Sequence, residues 1–229
     1  MQINLGLRLQ RVADFVPETT CIADIGSDHG YLAAWLLLTG RVQHTIAGEL
    51  NRDPAERARL TACAAGLEEK MLVREGAGLS VLQPGEVDTV VIAGMGGATI
   101  VQILESNPSV LPDLRRLVLQ PNIGGAQVRH WLSEHGWAII DEALVAENSI
   151  IYEIIVAEPG EMQQLTALQA EIGPMLLDRK PEHFSARVQA AIDARQYVVA
   201  QLVRSTNAAV ASKREQLMQQ ISDLESLIE

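Results

Sequence analysis

Carboxylates set among glycines carry most of the chemistry that this sequence can do. Residues 23–31 read Ala-Asp-Ile-Gly-Ser-Asp-His-Gly-Tyr, where the apolar run Cys21-Ile22-Ala23 ends in Asp24 and Gly26 and passes into a helical pattern. In an open α/β sheet, such a strand-loop-helix start is where an adenosine-containing ligand is held. One element later, Ile46-Ala47-Gly48-Glu49 ends the next apolar run in a carboxylate. Glu49 stands roughly twenty residues past the glycine turn, the offset of an acid that grips a ribose hydroxyl pair. The loop has Gly26 and Gly30 but lacks the middle glycine of G-x-G-x-x-G, which argues against a pyrophosphate pressed onto its backbone. Asp24 argues the same way, because a carboxylate beside the loop repels phosphate and favours a cationic or neutral ligand end. S-adenosylmethionine, with an ammonium, a sulfonium and no phosphate, meets that demand better than NAD or ATP. A nucleotide-dependent oxidoreductase is disfavoured on the same grounds. The bland alternative is a tight turn with Asp24 as a helix cap.

Two further glycine turns, Gly76-Ala77-Gly78 and Gly94-Met95-Gly96-Gly97, also follow strand-like runs. Parallel strands bring their carboxyl ends to one edge, so all three turns should converge there with Glu49 and its neighbour Leu50. In that arrangement Asp24, Gly26 and Ser27 shape the space for the amino-acid end of the cofactor. Glu49 accepts from the ribose, and Gly76, Ala77 and Gly78 lie near the adenine. Gly94, Met95 and Gly96 line the reaction edge. Asp28 and His29 open the first sheet helix, where backbone N–H groups point at whatever binds. Either could orient or deprotonate a substrate amine, and each could equally be an ordinary first-turn residue.

The elements that must position these groups follow from periodicity. Residues 3–16 have helical spacing, with Leu5, Leu9, Val12 and Phe15 or Val16 on one face, and Pro17 ends the helix. Strands are expected at 20–25, 44–49, 70–74, 88–93 and 116–120, the last ended by Pro121-Asn122. Helices are expected at 29–39, 53–65, from Gly97 to Leu104, and 125–134. Residues 137–145 and 150–157 read as an antiparallel pair closing the sheet. Strands alternating with helices predict an α/β, Rossmann-like fold. After Pro159 no strand pattern remains. Two helical repeats, interrupted at Ser205-Thr206-Asn207, predict an antiparallel hairpin. The expected division is therefore 1–158 for the sheet domain and 159–229 for the helical arm.

Composition sets bounds. Of 229 residues 48% are apolar but only 3% aromatic, so the core is aliphatic and few rings are available for stacking. No apolar run approaches the roughly 20 residues of a membrane helix, so no membrane partner is expected. The N-terminus lacks the pattern of a secretory signal. Cys21 and Cys63 read as buried free thiols of a cytoplasmic protein, with no metal. A net charge of −11 does not advertise nucleic-acid binding, although a local basic face is compatible with it. Arg8, Arg11, Arg41, Arg74, Arg115, Arg116 and Arg129 are expected mostly on solvated surface.

The strings Asp24-Ile25-Gly26-Ser27-Asp28-His29-Gly30-Tyr31-Leu32, Ala47-Gly48-Glu49, Ile92-Ala93-Gly94-Met95-Gly96-Gly97 and Leu119-Gln120-Pro121-Asn122 together resemble the TrmK family of bacterial tRNA methyltransferases, which modify N1 of adenine 22. Arg129-x-Trp131-Leu132, Tyr152-Glu153 and Glu171-Ile172-Gly173-Pro174 are similar to that family too. The resemblance implies a class I methyltransferase sheet with a C-terminal helical hairpin, S-adenosylmethionine as methyl donor and tRNA as substrate. Where Ala77 stands the family usually has an acid, which would hold the adenine N6. Adenine N1 carries a lone pair, so no strong base is needed. Asp28, assisted by His29, is expected to stabilise the positive ring, and Asn122 to bond a base edge. The arm is expected to contact tRNA away from the target base, and a monomer is favoured. Rival readings are a methyltransferase of another substrate and an RNA-binding module with a vestigial cofactor pocket.

Overall fold

The computed structural model describes residues 3–202 and 208–229, and the chain divides into two compact units, Met1–Met175 and Leu176–Glu229. The first unit has seven strands: β1 (Thr19–Ile25), β2 (Val42–Glu49), β3 (Met71–Glu75), β4 (Thr89–Gly96), β5 (Arg116–Ile123), β6 (Trp137–Glu147) and β7 (Ile150–Pro159). They form one sheet in the order β3-β2-β1-β4-β5-β7-β6. The first five are parallel, while β7 pairs antiparallel with both β5 and β6. Helices α1 (Leu7–Asp14), α2 (Tyr31–Leu38), α3 (Arg52–Ala65), α4 (Gly97–Glu105), α5 (Gly125–Glu134) and α6 (Ala167–Ile172) complete the unit.

The apolar strand runs follow from burial on both faces. Ala23, Val90, Ile92, Leu117 and Leu119 belong to one core cluster, and the alternating Ile22, Val91 and Val118 to another. Strand order reverses between β1 and β4, which leaves a crevice at their carboxyl ends. The β6–β7 hairpin closes through Asn148 and Ser149, both at positive φ, as a two-residue primed turn demands.

Several details differ from the sequence expectation. Helix α1 starts only at Leu7, because Gly6 is extended and lacks a side chain to cap an earlier turn. The glycine string 94–96 is not a turn but the irregular end of β4, paired to β5 with register shifts around Met95. Pro121 and Asn122 do not end β5 but lie within it. The β5–β7 register runs only from Leu117 to Leu119, so the missing proline N–H removes no ladder bond on that side. Arg129 is fully buried and Cys63 is exposed, against the expectation for each.

The first unit runs past residue 158 because α6 is tied to the sheet. Arg129 Nη1 donates to the Ala170 carbonyl at 3.1 Å, and Glu142 Oε2 accepts from the Met175 N–H at 2.9 Å. The second unit begins within α7 (Pro174–Arg179) and consists mainly of α8 (Phe184–Leu202) and α9 (Ala208–Glu225). Arg195 bonds Gln220 and Lys180 bonds the Leu227 carbonyl, so early residues of the unit meet late ones and the helix pair is antiparallel. The break at Ser205-Thr206-Asn207 lies outside the described residues.

Candidate functional site

At the carboxyl edge, β1 delivers Asp24 into the crevice and the chain then turns through Gly26 and Gly30. Gly26 is at φ +75°, which demands glycine, and the Met95 methyl group packs into the space that a Cβ would occupy. Asp28 is also at positive φ. Its backbone N–H and the Ser27 hydroxyl (2.8 Å) both donate to Glu49 Oε1. The Glu49 carbonyl accepts from the Gly76 N–H at 2.8 Å. Glu49, only 5% exposed, is thus locked by the first turn and itself locks the second. Its Oε2 has no hydrogen bond among the described residues.

Asp24 sits deeper. Its carboxylate accepts from the Ala33 N–H in the first turn of α2, but Oδ2 has no partner among the described residues. Burial, reinforced by the Glu49 charge and opposed by the Ala33 bond, pushes its pKa up to about 7. Unfolded, the group has its ordinary value of 3.8. The fold therefore favours the protonated form. Stability from this group is complete below pH 4 and is lost as pH rises through 7, a change on the order of 4 kcal/mol. In the ligand-free protein, Asp24→Asn should gain stability relative to wild type as pH rises from 5 to 8. Denaturant melts at both pH values check this, and parallel curves would refute it.

Two cavities open along this edge. One of about 490 Å³ is lined by Glu49, Leu50, Gly76, Ala77, Gly78 and Met95, with Thr99, Gln102, Ile103 and Ser106 from α4 and the residue after it. Another of about 270 Å³ is lined by Asp24, Ser27, His29 and Gly94, with Arg8, Leu9 and Tyr31. Gly26 and Asp28 border both. A third cavity, of about 750 Å³, lies at the opposite edge around Thr19–Cys21, Arg41, Asp88 and Arg115, away from the strand ends where open α/β sheets hold ligands.

Every expected cofactor residue except Gly96 therefore borders one of these two adjacent cavities. Gly96 continues β4 beside Ile123. Asp28 does not stand as a free charge: it pairs with Arg57 of α3 and lies 3.5 Å from His29 Nε2. His29 stacks on Tyr31, with ring centroids 5.1 Å apart. Asn122 lines neither cavity. It donates to the Gly94 carbonyl at 2.7 Å and accepts from Gln120 at 3.1 Å, which fixes its amide at the end of β5. Gln120 in turn accepts from the Gly94 N–H at 3.0 Å and from Arg8.

Sequence reasoning missed Arg8, Arg57, Gln120 and the α4 wall. One signal was available: Arg8 falls within the apolar stripe of Leu5, Leu9 and Val12, where a charged side chain has no packing reason to be. Among the described residues, no helix is long and apolar enough to cross a membrane, and no group of three or more His, Cys, Asp or Glu could hold a metal.

Comparison with known proteins agrees with this geometry. The TrmK family model, described as tRNA (adenine(22)-N(1))-methyltransferase, matches residues 22–226. A Bacillus subtilis tRNA (adenine(22)-N(1))-methyltransferase is 35% identical over 99% of this chain and 96% of its own length. The crystal structure of the B. subtilis TrmK superposes with a TM-score of 0.92 at 33% identity, covering 100% of both chains. A Streptococcus pneumoniae protein crystallised in complex with S-adenosyl-L-methionine gives a TM-score of 0.89 at 32% identity, covering 99% of this chain and 100% of its own. With family match, full-length identity and fold in agreement, this chain belongs to the TrmK family of tRNA (adenine(22)-N(1))-methyltransferases.

Proposed function

We propose that this chain transfers the methyl group of S-adenosylmethionine to N1 of adenine 22 in tRNA. The observation that carries the reading is the unpartnered Asp24 Oδ2 and the locked Glu49 carboxylate on two adjacent cavities at the sheet's switch point, in a chain of this family. Those donors fit the cofactor. Glu49 Oε2 is left to accept from ribose hydroxyls in the larger cavity, whose apolar wall (Leu50, Met95, Ile103) suits an adenine ring. Asp24 suits an ammonium in the smaller cavity. Bound there, S-adenosylmethionine supplies a methyl group on a positive sulfur.

The residues at the reaction edge then have three tasks. Gly94 and Met95 border the crevice and present the edge at which the adenine N1 must align with the methyl group. Asn122, with its amide fixed by Gly94 and Gln120, keeps one N–H free for a base edge. Asp28 and His29 face the ring that becomes positive on methylation. Because Arg57 offsets part of the Asp28 charge, orientation contributes more than electrostatics to this role. The target base must leave its stack to enter.

Substrate binding must overcome an unfavourable field. Residues 176–229 balance seven Lys and Arg against seven Asp and Glu, so the whole net charge of −11 belongs to residues 1–175. The helical arm is accordingly the part that a phosphate backbone approaches without net repulsion, and we assign it the contact with tRNA away from the target base. The enzyme acts in the cytoplasm on tRNA as it matures.

The test is methyl incorporation from labelled S-adenosylmethionine into an unmodified bacterial tRNA transcript and into the same transcript with guanine at position 22. Incorporation into the first and not the second is expected. Equal incorporation would move the target elsewhere, and none into either would remove the activity.

A further inference from the structure

Asp28 is held more firmly than a side chain on an open glycine loop need be. It stands at φ +55°, a conformation that few residues other than glycine adopt. Its N–H is tied to Glu49, and its Oδ1 accepts from Arg57 Nη2, which reaches it from α3. Oδ2 is left facing His29 Nε2 at 3.5 Å. Asp28 borders both cavities, while Arg57 lines neither.

Stability does not explain this ion pair. The Asp28 and Arg57 side chains are 60% and 41% exposed, and exposed pairs contribute little to folding. Arg57 also has a nearer acid. Asp53 stands four residues earlier on the same helix, the spacing at which an acid and a base pair well. Asp53 and Glu49 both act on the guanidinium through space, yet its hydrogen bond goes to Asp28. In that pose the Arg57 Nε–H is buried with no acceptor among the described residues. A buried donor left unpaired is unfavourable to folding. A contact made against the interest of the fold, and aimed at one side chain on the rim of a cavity, is explained by what that side chain does.

We propose that Arg57 is a positioning residue for methyl transfer: by holding Asp28 Oδ1, it turns Oδ2 toward the adenine that is methylated. This inference rests on the function proposed above and adds to it a residue outside both cavities. During transfer, positive charge passes from the sulfur to the adenine ring. A carboxylate fixed beside the ring stabilises the charge where it develops. One free to swing toward the sulfonium stabilises the starting state as well and gains no rate. A tRNA phosphate is the poorer partner for Arg57, because Asp28, Asp53 and Glu49 surround the guanidinium and would repel it.

Steady-state methyl transfer to an unmodified bacterial tRNA transcript tests this in wild type, Arg57→Gln, Asp28→Asn and the double variant. Arg57→Gln should lower kcat about tenfold or more. Its KM for tRNA and its calorimetric affinity for S-adenosylmethionine should stay within about twofold of wild type. Its melting temperature should match wild type. The double variant should be no slower than Asp28→Asn alone, because Arg57 acts only through that side chain. Wild-type kcat in Arg57→Gln overturns the inference, and so do losses that multiply in the double variant. A raised KM for tRNA with unchanged kcat overturns it in favour of a phosphate contact. Weakened S-adenosylmethionine binding, a lowered melting temperature or a failure to fold would make the pair a structural one and overturns it too. Wild type that transfers no methyl group to the transcript would instead remove the proposed function, and this inference with it.

Discussion

Replacing Arg129 by leucine is expected to cost about 3–5 kcal/mol of folding stability, lowering the melting temperature by about 10 °C in a chain of this size. Arg129 has no solvent exposure and bonds Glu142 Oε1 through Nε and Glu153 Oε2 through Nη2, each at 2.6 Å. Its Nη1 reaches the last carbonyls of α6. Leucine would leave two carboxylates buried side by side with no cation. Space for those carboxylates is cleared by glycine on both sides: a Cβ on Gly125 would meet Glu153, and one on Gly173 would meet Glu142. Burial already pulls the Glu142 carboxyl above its ordinary range, with Arg129 opposing the shift. The loss in Arg129→Leu should therefore be largest at neutral pH and shrink in acid, where the orphaned carboxyls can take protons. The triple variant Arg129→Met, Glu142→Leu, Glu153→Leu removes the charges together and should be more stable than the single variant. Denaturant melts of both variants at pH 5 and 8 measure this. A single variant as stable as wild type would mean that the ion cluster does not hold the sheet edge to α6.

Gly97→Ala is expected to damage both fold and turnover, while the adjacent Gly96→Ala should be tolerated. Gly97 opens α4 and packs against Gly124, which caps α5 in the left-handed conformation. A Cβ on Gly97 would overlap the Gly124 carbonyl oxygen and stand 2.7 Å from its carbon. Both are backbone atoms and cannot rotate away. At Gly96 the nearest atom to a Cβ is Ile123 Cγ1 at 3.9 Å, ordinary contact distance. Forcing α4 from α5 spreads the ends of β4 and β5, where Gly94 and Asn122 are bonded. Overpacking of this kind costs about 1–3 kcal/mol, and a displacement of about 1 Å at the reacting groups can lower turnover on the order of 100-fold. Melts together with methyl-transfer rates at saturating S-adenosylmethionine and tRNA would show both effects. Wild-type rates in Gly97→Ala would sever the link between this contact and the reaction edge.

The sheet and the crevice at its carboxyl edge were legible because each strand of a parallel sheet announces itself as a short apolar run, and the groups after those runs must meet at one edge. Asp24, Glu49 and the glycine strings could be placed by that rule alone. Strand ends were less legible. Nothing local shows that Pro121 remains in β5, because that depends on where β7 stops pairing. The domain boundary was missed for a related reason: α6 is tied to the first unit by Arg129 and Glu142, residues distant in sequence. A local signal for α6 was present in Thr166 and Gln169, which form a capping box. Arg8 and Arg129 share one lesson. Each lies inside an apolar helical stripe, the first with Leu5, Leu9 and Val12, the second with Val128, Trp131 and Leu132. A charge in such a stripe marks either a buried ion cluster or a ligand, and only the fold distinguishes them. The partners of Asp28 were not legible, since Arg57 reaches it from α3.

Titration of S-adenosylmethionine into wild type and Glu49→Ala tests most directly whether the crevice between β1, β2 and β4 is the cofactor site. Loss of charge-assisted bonds of about 1.5–3 kcal/mol predicts one-site binding to wild type and an affinity about 10- to 100-fold lower in Glu49→Ala. The same affinity in both proteins, or no binding to wild type, would contradict the account.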